Sequence, residues 1–300
     1  MQSAIRTSVP ALHGPQNLSS SDGMIAYAGP NTIVLGSLSD LNAANPSFST
    51  LKSPVNKVLV QSGHLIVFDL SIIKIYSISD QQLQFEYRFD GSGVFPTDSI
   101  VLPDLSTVLV STTKGEVWSF NFSSPTFNKL SSAVLTLNQN LIDSAIIGLA
   151  VYNNTLYCLT ESSCLHFFSL TPDLKASAVG KCSLDNDVCF LQHKENLIAI
   201  GHLNGMITLF DTRISAVVSV INMVKMITCI CLTREDSGYH LIVGSEDTTL
   251  TLFSVSFDLK NIKKLSSLII ENSIPSGVVT NEDSLIVTLA EREELQIVKM

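Results

Sequence analysis

The residues able to do chemistry are few, and their spacing argues against most reactions. Six histidines, His13, His64, His166, His193, His202 and His240, stand apart along the chain. No pair has the HxxxH spacing that sets two metal ligands on one face, and none joins a neighbouring cysteine as a zinc site would require. His166 follows Leu165 inside an apolar stretch and reads as a core or blade-face histidine. The six cysteines, Cys158, Cys164, Cys182, Cys189, Cys229 and Cys231, form no CxxC and read as small buried hydrophobes. Carboxylate pairs can hydrolyse a glycosidic bond. Asp185 and Asp187 flank Asn186, and Glu291, Glu293 and Glu294 cluster near the end of the chain. Both sets lie in turn-rich segments, where Asp and Asn bond their own backbone. Gly91-Ser92-Gly93 lacks the rest of any phosphate-binding loop, and no GxSxG nucleophile motif occurs. The expectation is no catalytic residue, no metal and no cofactor.

Composition narrows the partners. A formal charge of −9 and a pI near 5.1 disfavour nucleic acid, because an acidic surface repels phosphate. The densest basic group, Lys260, Lys263 and Lys264, reads as a solvated loop and edge strand. Hydrophobic residues make up 45% and charged residues 15%, with a mean hydropathy of +0.33, so much of the chain must be buried. The apolar residues come in short bursts ended by Gly, Asn, Asp, Ser or Pro. Even Leu141 to Tyr152 is interrupted by Asp143 and Ser144, so no membrane insertion is expected. Arg6, Pro10 and Gly14 replace the apolar core of a signal peptide. The sequons at Asn17, Asn121 and Asn153 carry no meaning without one. A cytoplasmic location is expected.

The elements that must position these residues repeat. An apolar strand, a tight polar turn and an alternating strand recur seven times, with first strands starting near residues 24, 64, 107, 155, 197, 241 and 285. The steps of 40 to 48 residues match a four-stranded WD-type propeller blade. A further strand precedes each unit, such as Val55–Gln61 or Ile146–Tyr152. An outer strand follows, such as Leu83–Phe89 or Val217–Ile221. The prediction is all-β: one seven-bladed propeller domain over 1–300, with blades near 11–52, 53–90, 95–137, 144–183, 185–223, 225–271 and 274–300. The last unit has three strands, so Ser3–Val9 is expected to close it. The first strands of blades one and seven, near Asn17–Ser20 and Ser276–Thr280, have the lowest β-propensity.

Two units carry WD-repeat chemistry: Leu197 to Asp211 (LIAIGHLNGMITLFD) and Leu241 to Phe253 (LIVGSEDTTLTLF). In a typical WD repeat a Ser or Thr ends the second strand, an Asp sits in the turn and a Trp lies in the third strand. Ser245, Asp247 and Phe253 match those places, with Phe for Trp; Phe210 and Trp118 fill the aromatic place in blades five and three. The WD dipeptide is absent, as is the motif's histidine before Ile227. The runs Ile198–Gly205, Val220–Asn222 and Gly244–Thr248 give the chain a resemblance to the WD repeat-containing protein 54 family. That resemblance implies a small WD40-type propeller that binds other proteins and itself. Asp247 is expected to stabilise its own turn.

In such a fold the turns between second and third strands form a rim, here Asn31, Asp69, Lys114, Glu161, Asn204, Glu246 and Arg292. Its mixed charge names no ligand, but loops on rigid scaffolds carry function. The insertions Gly36–Phe48 and Pro125–Asp143 are further docking candidates, or plain loops or an outer hairpin. The leading expectation is a non-enzymatic protein-interaction scaffold. A structural subunit of a ciliary, microtubule-associated or vesicle-coat assembly is the alternative, because the hydrophobicity could leave apolar patches. A propeller hydrolase rests only on the acidic turns.

Overall fold

In the computed structural model the apolar bursts become strands and the polar stops become turns. The structure describes residues 2–6, 17–21, 23–29, 32–38, 40–48, 55–61, 63–89, 93–102, 107–121, 133–135, 142, 144–270, 273–281, 284–290 and 294–299. Among these residues every regular element is a strand, and no helix is long and apolar enough to cross a membrane.

The first strand, β1 (Gln2–Arg6), belongs to the last sheet. Blade 1 is β2 (Leu18–Ser21), β3 (Met24–Ala28), β4 (Ile33–Ser37) and β5 (Asp40–Phe48). Blade 2 is β6 (Val55–Gln61), β7 (His64–Asp69), β8 (Ile72–Ser77) and β9 (Leu83–Arg88). Blade 3 is β10 (Pro96–Val101), β11 (Thr107–Thr112), β12 (Val117–Asn121) and β13 (Ala133–Leu135). Blade 4 is β14 (Ile146–Tyr152), β15 (Thr155–Thr160), β16 (Cys164–Leu170) and β17 (Ala176–Ser183). Blade 5 is β18 (Val188–Lys194), β19 (Leu197–His202), β20 (Met206–Asp211) and β21 (Ala216–Asn222). Blade 6 is β22 (Ile227–Glu235), β23 (Gly238–Ser245), β24 (Thr249–Ser256) and β25 (Ile262–Ile269). Blade 7 is β26 (Pro275–Asn281), β27 (Ser284–Leu289), β28 (Glu294–Lys299) and β1. The protein is an all-β, seven-bladed β-propeller.

β1 closes the last sheet as expected, antiparallel to β28 from Gln2↔Val298 to Arg6↔Glu294. Thr7–Val9, the rest of the expected closing strand, lie outside the described residues. The stretch Gly36–Phe48 supplies the outer strand β5, where Pro46 is tolerated at a sheet edge. Of Pro125–Asp143, residues 133–135 form β13 and Ile142 is described; the rest lies outside the described residues.

Burial follows position in the blade. Every residue of β11 and of β19 is buried, whereas β17 and β25 are mostly exposed. A second strand buried along its whole length can be apolar on both faces. An outer strand has little to pack on and can be polar. Each Leu, Ile or Val so buried contributes about 1.5–3 kcal/mol. The innermost strands β6, β10, β14, β18, β22 and β26 share a register shift just inside their first residue. Weak β-propensity in β2 is offset by its neighbour: the Ser19 hydroxyl accepts the Val60 amide of β6 at 2.9 Å.

The chain divides into two compact units, Met1–Glu86 with Met223–Met300, and Tyr87–Asn222. In the first, aliphatic clusters join blades 1 and 2, 7 and 1, and 6 and 7. In the second, blades 3 and 4 pack around Phe168, and blades 4 and 5 around Tyr157, Phe167 and Phe210.

Candidate functional site

Blades 3 to 6 each join their second and third strands by the same turn. The last residue of the second strand accepts a hydrogen bond from the backbone N–H three residues on. The pairs are Thr112–Gly115 (3.2 Å), Thr160–Ser163 (3.0 Å), His202–Gly205 (3.0 Å) and Ser245–Thr248 (3.1 Å). The N–H donor is left-handed in each case, at φ 72°, 58°, 84° and 65°. This is the three-residue hairpin loop, a type I turn followed by one left-handed residue. Glycine takes that conformation without strain at positions 115 and 205. At Gly115 a Cβ would also stand 2.6 Å from the Ile142 carbonyl oxygen.

Under each turn lies a buried polar anchor. Ser245 Oγ donates to Asp247 Oδ1 at 2.6 Å, and the Thr249 hydroxyl and amide donate to the same oxygen at 2.7 and 3.3 Å. Burial pushes the Asp247 carboxyl up, but these bonds and nearby Lys225 outweigh it and hold it below its ordinary value. In blade 5 His202 takes the place of Ser245. Its Nε2 lies 2.8 Å from Thr208 Oγ1 and its Nδ1 3.2 Å from the Asn186 carbonyl. A carbonyl can only accept, so Nδ1 carries the proton and the neutral ring accepts from Thr208. Burial pushes the imidazole down, against the Asn186 bond and the charge of Asp185. Asn204 then accepts the Met206 amide at 3.1 Å, as Asp247 does for Thr249. In blade 4 Thr160 Oγ1 pairs with Ser162 Oγ and donates to the Cys164 carbonyl, both at 3.0 Å. In blade 3 Thr112 Oγ1 accepts the amides of Lys114 and Glu116, both at 3.3 Å.

Above the anchors each turn displays two side chains: Thr113 and Lys114, Glu161 and Ser162, Leu203 and Asn204, Glu246 and Asp247. All but the half-buried Thr113 are exposed. Four expected rim residues, Lys114, Glu161, Asn204 and Glu246, are thus outward-facing turn residues. Asp69 is different. It is 1% exposed and paired with Lys74 at 3.4 Å, because a shorter turn keeps it inside the strand. Asn31 and Arg292 lie outside the described residues.

The aromatic place needs one correction. Phe253 and Phe210 each stand five residues beyond the end of their turn, opposite Leu241 and Ile198. In blade 3 that register belongs to Phe120, opposite Val108, and Trp118 stands two residues earlier. Alternation placed a ring at both positions, and only counting from Gly115, as from Gly205 to Phe210, selects Phe120. Trp118 donates to Glu116 at 3.0 Å and packs on Tyr87 and Phe89, with both ring centroids 5.6 Å away.

The carbonyls of Asn186 and Asp187 accept from His202 and the Leu203 amide, so that loop serves the turn. Glu291 and Glu293 lie outside the described residues. Among the described residues no group of three metal-binding side chains occurs, and all six cysteines are free thiols. Burial pushes Cys189 and Cys229 up to about 12, values that suit inert core thiols. Sequence reasoning missed the anchors Thr112, Thr160 and His202. It also missed Asp98, whose buried carboxylate accepts the amides of Ser99 and of Leu149 in the next blade, both at 2.7 Å. Lys57 was missed too; burial pushes its amine down to about 7. For the three turn anchors the available signal was a polar residue immediately before each three-residue turn.

Neither a family model nor a curated protein matches the sequence. Among solved structures the chain is similar to one from the crystal structure of the mitotic checkpoint complex. That match has a TM-score of 0.79 at 14% identity, and covers 99% of this chain and 91% of that one. It is also similar to the computationally designed Ika8 protein, with a TM-score of 0.68 at 15% identity, covering 94% and 82%. At such identities the likeness bears on the fold alone and on nothing finer.

Proposed function

We propose that the protein is a non-enzymatic interaction scaffold of the WD-repeat type, akin to the WD repeat-containing protein 54 family, working in the cytoplasm. One observation carries this reading: the four turns share a backbone and a buried anchor but differ in what they display. Lys114 offers a cation, Glu161 an anion, Leu203 an apolar tip, and Glu246 with Asp247 two carboxylates. A constant frame with varied outward side chains is what binding on a rigid scaffold requires. A reaction would instead need those side chains to converge.

The test is affinity purification with cross-linking mass spectrometry, comparing wild type with the triple variant Glu161→Ala, Leu203→Ser, Glu246→Ala. All three side chains are exposed, so the fold should hold. The reading expects a partner cross-linked near these turns and lost from the variant. Recovery of the same partner at the same stoichiometry would sink it. So would hydrolysis of a sugar panel that disappears on Asp185→Asn and Asp187→Asn.

A second reading, a subunit of a stable ciliary, microtubule-associated or vesicle-coat assembly, draws on exposed apolar residues. Val224 is 76% exposed, Ile269 66% and Ile214 65%. A monomer that stays monomeric at high concentration would count against it.

A further inference from the structure

The junction between blades 6 and 7 is packed differently from those in the other unit. Between blades 4 and 5 the rings of Tyr157, Phe167 and Phe210 fill the space between sheets. Between blades 6 and 7 the buried cluster holds only aliphatic residues and Cys229, because Phe253 lies outside it. Without a ring the wedge stays open. A cleft of about 270 Å³ lies between β24 and β25 on one side and β27 and β28 on the other.

The cleft is amphiphilic. Ile242, Leu250 and Leu285 form part of its lining at 0, 3 and 5% exposure. Leu268 lines the β25 side, while exposed Ser266 and Lys299 stand at the solvent side. The Thr251 and Ser267 hydroxyls in the lining bond each other at 2.8 Å, which engages one of their two protons. Lys299 is the charged residue among the described lining. We infer that this cleft binds a medium-chain monocarboxylate, its hydrocarbon chain on the aliphatic lining and its carboxylate against the Lys299 ammonium. At about 30 Å³ for a water-sized group, the volume suits a chain of about eight to nine such groups. Apolar lining with one placed polar group is the usual make-up of a small-ligand site.

The experiment is isothermal titration of the full chain with hexanoate, octanoate and decanoate, each below its micelle concentration. The expected result is one saturable site whose affinity rises about fourfold per methylene until the cleft is full. Lys299→Gln should weaken octanoate about two- to fivefold, as for an exposed ion pair, and leave octan-1-ol unchanged. Leu268→Phe should fill the cleft and lower octanoate affinity at least tenfold. Should that variant melt early, Ser266→Phe, at an exposed position, blocks the solvent side instead. No binding of decanoate, affinity independent of chain length, or full octanoate binding by a well-folded ring variant would each overturn the proposal. Failure with carboxylates together with binding of an apolar peptide would overturn it in favour of a partner protein's side chain.

Discussion

The turns of blades 5 and 6 trace one backbone and hold it by opposite means. In blade 6 a carboxylate gathers three donors, from Ser245 and Thr249, around Asp247 Oδ1. In blade 5 a neutral imidazole bridges Thr208 and the Asn186 carbonyl from beneath. The left-handed place is Gly205 in one and Thr248 in the other. The turn is therefore a geometry that more than one set of side chains can satisfy. The two solutions should respond differently to substitution and to acid.

The largest effect should come from His202→Leu. The ring is 1% exposed, and its loss strands a buried hydroxyl and a half-buried carbonyl. At 1–3 kcal/mol for each stranded group, the cost at pH 7.5 is about 2–4 kcal/mol by urea denaturation. The imidazole's folded pKa lies below its ordinary 6.5, so the unfolded chain takes the proton first. Its stabilisation is complete above pH 6.5 and is lost as pH falls below that value through the folded pKa. The gap between wild type and variant should narrow on going from pH 7.5 to pH 5. A gap that widens in acid would mean that His202 is charged in the fold.

Asp247→Ala comes next, at about 1–2 kcal/mol near neutrality, because Ser245 and Thr249 lose a charged acceptor but stand 2.7 Å apart and can then bond each other. Here the folded pKa lies below 3.8, so the stabilisation holds above that value and is lost as pH falls through the folded pKa. Between pH 7.5 and 5 this variant's deficit should stay constant while that of His202→Leu shrinks. Parallel pH curves would erase the distinction between the two turns.

What could be read from sequence divides along the same line. Period and apolar bursts place blades, and the bounds Val55–Gln61 and Ile146–Tyr152 stand residue for residue. Strand exchange was legible because three strands leave an edge that needs a partner, and β1 supplies it. Ser245 and Asp247 were legible because their types match a known pattern. His202 was not, since a histidine ending a strand looks like any other and its partner Asn186 lies sixteen residues away. Asp69 looked like a turn residue because Asp favours turns. Only the pairing Asp69↔Ile72 shows that it still belongs to the ladder.

The smallest effects test the left-handed residue. Gly205→Thr puts a β-branched side chain where φ is 84° and should cost about 1–2 kcal/mol. Thr248→Gly is the reverse change. A threonine at φ 65° carries that same conformational cost, and glycine removes it. Glycine also enlarges the unfolded ensemble, which returns about 0.5–1 kcal/mol. The net expectation is a gain of about 0.5–1 kcal/mol, read as a higher urea midpoint with an unchanged slope. The Thr248 amide still reaches the Ser245 carbonyl and the Thr249 hydroxyl still reaches Asp247, so the anchor is untouched. A loss of stability would mean that the Thr248 side chain makes a contact outweighing its backbone strain. The blade 6 turn would then be held at three points of the loop, where blade 5 is held at two.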